Sequence, residues 1–120
     1  EGSIIRLDAL GLLIGLQSDA EFLCGEVVLE PGDVVLYYTD GVTEALGLAG
    51  ERFSEKRLMS LLQESANKFL KAKDILDNLF SRLDCFVGDN NCLEDDASMV
   101  VFKVDDAIKL PHINVNEPIA

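Results

Sequence analysis

Five residues, Val34-Val35-Leu36-Tyr37-Tyr38, constrain this chain more than any others, because they form a strand with no polar side. Successive side chains of a strand point to opposite faces, so a run that is apolar throughout has to be covered on both. Such a strand belongs in the middle of a layered structure. Its start is marked by Glu30-Pro31-Gly32-Asp33, a turn in which Pro presets φ at the first central position and Gly accepts positive φ at the second. It runs out at Thr39-Asp40-Gly41. A second nearly apolar strand, Ala97 to Val104, follows the acidic loop Asp89-Asn90-Asn91-Cys92-Leu93-Glu94-Asp95-Asp96.

Around these two strands the pattern predicts further elements. Residues 1–30 read as β structure, with a short strand Ser3–Leu7, a glycine-punctuated apolar run Leu10–Leu16 and a longer strand Glu21–Glu30. A phase change near Gly25 marks a bulge in the last of these. Ser54 is placed to N-cap a helix, with Phe53 before it stapling onto Leu58, and Leu58, Leu61 and Leu62 give that helix an apolar face. A second helix runs from about Ala72 to Phe86, its stripe made by Ile75, Leu76, Leu79, Phe80, Leu83 and Phe86, and Gly88 ends it. From Asp105 the chain carries two prolines and mixed polarity, so residues 105–120 read as an extension outside the core. His112 there reads as a solvated residue.

The length, 120 residues, suits one domain, and 48% apolar residues suffice for a core. Ten Lys and Arg against 22 Asp and Glu leave a net charge of −12. That excess argues against nucleic acid or an anionic membrane as partner, since cationic side chains supply most of that attraction. The three cysteines, Cys24, Cys85 and Cys92, form no Cys-x-x-Cys pair and read as reduced thiols of a cytoplasmic protein. Cys85 falls at the edge of the helical stripe and reads as core, and Cys92 as a loop thiol. No apolar run approaches the roughly 20 residues of a membrane helix.

Two acidic positions stand out chemically: Asp40 just after the first apolar strand, and Asp95-Asp96 just before the second. If the strands are antiparallel neighbours, the exit of one lies beside the entrance of the other, and carboxylates 55 positions apart meet at one sheet edge. Carboxylates crowded there repel unless protonated or bridged by a cation, and Mg²⁺ or Mn²⁺, content to keep several waters, suits such an oxygen site. From spacing alone, Asp-Gly after a strand is equally a turn signal, so both readings stand.

The run Leu29 to Ala45 (LEPGDVVLYYTDGVTEA) closely resembles the central signature of the bacterial metal-dependent (type 2C, PPM) serine/threonine phosphatases, in the branch of stage II sporulation protein E and the sigma-factor regulators. Glu94 to Val101 (EDDASMVV) is similar to the family's second acidic motif, and Gly2 to Leu16 to the segment before the central strand. The resemblance covers residues 1–104. It implies metal ligation by Asp40 and Asp95, with Gly41, Asp96 and Glu44 around them. It implies no residue role for Thr43. The activity implied is hydrolysis of phosphoserine or phosphothreonine by metal-activated water, with two Mg²⁺ or Mn²⁺ ions in the complete domain and no Cys or Ser nucleophile. The substrate implied is a phosphorylated signalling regulator such as an anti-sigma-factor antagonist.

The family's N-terminal half carries another Gly-Asp metal motif and a Gly-His-Gly-like stretch. Neither stands here, as Asp8 and Asp19 lack the Gly-Asp context. The chain therefore reads as the C-terminal half of such a domain. The expected fold is α/β in an α+β layout: a largely antiparallel sheet with two helices on one face, half of an αββα sandwich. An uncovered sheet face promotes pairing, so a homo-oligomer is expected. A calcium loop at Asp89–Asp96 fails because Leu93 takes a ligand position and no Gly follows it. A receiver domain fails for want of regular βα alternation. A non-catalytic pseudo-phosphatase module remains the alternative.

Overall fold

The computed structural model describes residues 2–8, 11, 13–69, 71–89, 93 and 95–105. In chain order the elements are β1 (Val34–Tyr38), α1 (Asp40–Thr43), α2 (Ser54–Lys68), α3 (Ala72–Val87) and β2 (Met99–Lys103). The two strands pair antiparallel, with Val34 opposite Lys103, Leu36 opposite Val101 and Tyr38 opposite Met99. The layout is α+β, consistent with half of a sandwich.

The turn before β1 forms as its residues require. Asp33 N–H donates to the Glu30 carbonyl at 3.0 Å, and Gly32 takes φ 91°. The Gly32 N–H bonds the Val104 carbonyl and the Val104 N–H the Asp33 carbonyl, both at 2.9 Å, so the pairing continues past the strand ends.

Ile75, Leu79, Leu83 and Val87 recur every four residues along α3 and are all buried. They meet Leu58 and Leu61 of α2 and the inward side chains Val34, Leu36, Met99 and Val101 in one apolar cluster. Ser65 is the polar residue in that core. It is fully buried, and its hydroxyl accepts from Asn78 Nδ2 at 2.8 Å, so nothing there is left unsatisfied. Gly88 closes α3 at φ 80°, its N–H on the Asp84 carbonyl at 2.9 Å.

Several expectations need correction. None of the described residues between Gly2 and Glu30 is in a strand. High β-propensity makes no strand by itself, because a ladder also needs hydrogen bonds in register with a partner, and the described residues of this segment pair with neither β1 nor β2. Nor is the sheet covered on both faces. The helices lie on one side, while Tyr37, Val100 and Phe102 face outward with 60%, 50% and 56% exposure. Their apolar surface is partly shared, with the Tyr37 and Phe102 rings edge to face at 5.9 Å.

Ser54 caps nothing and sits at φ 72°. The chain's approach to α2 is set instead by Phe53, whose N–H bonds the Ala45 carbonyl at 2.8 Å and whose buried ring meets Phe86 at 5.2 Å. Burying an aromatic ring outweighs one capping hydrogen bond of about 1 kcal/mol. Cys85 is exposed rather than core, because it stands on the α3 face opposite the sheet-facing stripe. Cys92, Glu94, His112 and the extension from residue 106 lie outside the described residues.

Candidate metal-binding strand junction

The antiparallel register decides where the acidic positions fall. Tyr38 opposite Met99 brings the exit of β1 beside the approach to β2. Thr39 then ties the two segments together three times. Its N–H donates to the Ser98 carbonyl at 3.1 Å, its hydroxyl oxygen accepts the Ser98 N–H at 3.0 Å, and the same hydroxyl donates toward the Asp96 carbonyl at 3.4 Å. Gly41 is buried directly against this strap: a Cβ there would collide with the Asp96 carbonyl oxygen and lie 2.7 Å from its carbon. Only a residue without a side chain permits so close a backbone approach.

The acidic residues flank that contact along the chain. Asp40 is the exposed first residue of α1, and its side chain has no hydrogen-bond or ion-pair partner among the described residues. Asp95 is exposed, with Oδ1 accepting the Asp96 N–H at 2.8 Å, which leaves its other oxygen free. Asp96 is also exposed and contributes its backbone to the junction. Glu44 lies past the end of α1 and pairs with Arg52 at 3.6 Å, away from the junction. Thr43 turns its hydroxyl back onto the Asp40 carbonyl at 3.3 Å, a bond internal to α1.

This donor set is oxygen only, which fits a hard cation that retains water. The residues that could hold it are Asp40 and Asp95, and Gly41 permits the close approach of the two backbone segments that carry them. Among the described residues no three His, Cys, Asp or Glu side chains converge as a metal group.

Thr39 carries no role in the sequence reading, although it stands inside the matching run. Its importance lies in partners 57 and 59 positions away, which appear only once the register is known. Thr39→Val removes the hydroxyl's two bonds and is expected to cost about 1 kcal/mol, with Thr39→Ser restoring most of it. Urea unfolding of the two variants checks this.

Beside the junction, the Tyr38 hydroxyl donates to Glu55 Oε1 at 3.1 Å, and Arg6 reaches Glu55 Oε2 at 3.2 Å and Asp8 at 2.9 Å. Burial chiefly, and then the bond to Glu55, raise the Tyr38 phenol above its ordinary 10.0. A raised folded-state value stabilises the fold fully below the ordinary phenol range and loses that contribution as pH rises through the folded value. In an ultraviolet phenolate titration, Tyr38 is expected to ionise late, and Glu55→Gln to bring it part of the way back.

Residues 1–105 match the family described as stage II sporulation protein E. The chain is also 33% identical over 100 residues to Protein IcfG of Synechocystis sp. (strain ATCC 27184 / PCC 6803 / Kazusa), an alignment covering 83% of this chain. The chain spans 15% of that relative's length. No solved structure matches it. Among the described residues no helix is long and apolar enough to cross a membrane. With a match running through both strands and the junction between them, the chain belongs to the stage II sporulation protein E family, and this stretch is part of a PPM-type phosphatase domain.

Proposed function

We propose that the whole protein is a cytoplasmic bacterial protein serine/threonine phosphatase dependent on Mg²⁺ or Mn²⁺, acting on a phosphorylated signalling regulator such as an anti-sigma-factor antagonist. The observation that carries the reading is the junction itself. Thr39, Gly41 and Asp96 lock two strand ends together and leave the Asp40 carboxylate without a partner among the described residues. Asp40 and Asp95 would hold the cation, Gly41 gives the backbone room, and Thr39 fixes the spacing between the two acidic segments. The chemistry such cations would supply when bound is an activated water and neutralisation of the charge developing on phosphate.

The test is turnover of phosphoserine and phosphothreonine peptides by the full-length protein with Mn²⁺, abolished by a chelator. The 120 residues alone are expected to be inactive. Hydrolysis of this kind uses two cations roughly 3.5–4 Å apart, and two carboxylates anchor only one of them well. Robust activity from this stretch alone counts against the assignment of ligands.

A second reading, an interaction module that keeps the fold without the chemistry, is favoured by the lack of a three-carboxylate group among the described residues. A full-length protein that binds phosphorylated regulator without cleaving it supports that reading. The open face of Tyr37, Val100 and Phe102 favours self-association of this stretch, and light scattering after size exclusion is expected to show a dimer or larger. A clean monomer at high concentration contradicts it.

A further inference from the structure

α2 and α3 pack side by side, and above their contact lies an open cleft of about 480 Å³. Its floor is apolar: Phe53 and Leu61 are buried, and Phe86 is half-buried against Phe53. Its rim is cationic. Arg57 and Arg82 both stand on it, two of only four arginines in a chain of net charge −12.

The two guanidiniums are poorly neutralised. Arg57 lies 4.6 Å over the Phe86 ring, and among the described residues it has no ion-pair partner. Stacking fixes the guanidinium plane and leaves its N–H edge free to receive an acceptor. Arg82 reaches Glu64 at only 3.9 Å, with both side chains about half exposed, and Glu64 is the single carboxylate on the rim among the described residues. Ser60 and the exposed Cys85 also line the cleft. None of Asp40, Asp95 and Asp96 lines this cleft, so it is separate from the strand junction.

We propose that the α2–α3 cleft binds an acidic peptide segment of a protein partner, a glutamate or aspartate carboxylate seated between Arg57 and Arg82 and a neighbouring apolar side chain on the Phe53–Leu61 floor. Charge complementarity selects this occupant. The planar fork of a guanidinium matches a carboxylate, and an acidic peptide is repelled by the rest of so anionic a chain. The apolar floor separates a peptide from a bare anion, because only the peptide brings a side chain to bury there. The inference does not depend on the phosphatase reading.

The experiment is a binding titration of the full chain with a dye-labelled peptide of alternating leucine and glutamate, read by anisotropy. The same peptide with glutamine for glutamate is expected to bind at least about fivefold more weakly, as are the Arg57→Gln and Arg82→Gln variants. Lys73→Gln, on α3 and paired with Asp77 outside the cleft, is expected to bind as the parent does. In a chain carrying Cys24→Ser and Cys92→Ser, bound peptide slows alkylation of Cys85 by iodoacetamide. Failure of the parent chain to bind the peptide overturns the proposal. So does unchanged binding by Arg82→Gln, whose loose surface pair makes it safe for the fold. Inorganic phosphate competing as well as the peptide also overturns it, since that marks a plain anion site.

Discussion

Asp40→Asn in the full-length protein is expected to lower phosphatase turnover by more than about a hundredfold while leaving the fold intact. Groups that merely orient a metal ligand cost 10–100-fold when changed, so removing the ligand's own charge costs more. The fold is spared because Asp40 is exposed at a strand's wet end and its carboxylate pairs with nothing among the described residues. Asparagine keeps the side chain's shape and its compatibility with a helix start. Turnover on a phosphoserine peptide beside a thermal melt by circular dichroism separates the two effects. Near wild-type turnover means that Asp40 is not a ligand. A collapsed melt means that it is structural.

Gly41→Ala is expected to damage stability and the junction together. The added methyl meets backbone, the Asp96 carbonyl, and not the far end of a side chain that can swing away. The segment 95–98 has to move, which breaks the Thr39–Ser98 pairing and separates the two acidic segments. Overpacking of this kind costs about 1–3 kcal/mol. Gly25→Ala is the matched control, since a Cβ there meets nothing within 4 Å, and its effect is expected within about 0.5 kcal/mol. Urea midpoints with unchanged slopes for both variants check the difference. Equal stability for the two contradicts the close approach.

Much of this architecture is legible in the sequence wherever a local signal is strong. The Pro31-Gly32 turn, the limits of β1, and α3 with its Gly88 cap all follow from residues within a few positions of the element they define. The sequence alone leaves the pairing of β1 and β2 open, and their antiparallel register sets the exit of β1 beside the approach to β2. What failed to show in sequence depends on distant partners. The described residues before Glu30 have strand composition but pair with neither strand of the sheet. Ser54 looks like a cap, yet the buried Phe53–Phe86 contact dictates the backbone there. Cys85 sits two positions from both Leu83 and Val87, which turns it to the face of α3 opposite the buried stripe. Thr39 works through Asp96 and Ser98, so its role emerges only from the register.

The central claim is that Asp40 and Asp95 hold a divalent cation at the junction of β1 and β2. Paramagnetic broadening of amide resonances by trace Mn²⁺ in the 120-residue chain tests it without requiring turnover. The expected result is broadening centred on residues 39–43 and 95–98, lost in both Asp40→Asn and Asp95→Asn and reversed by excess Mg²⁺. Broadening spread over the other acidic stretches, or unchanged by those two substitutions, contradicts the account.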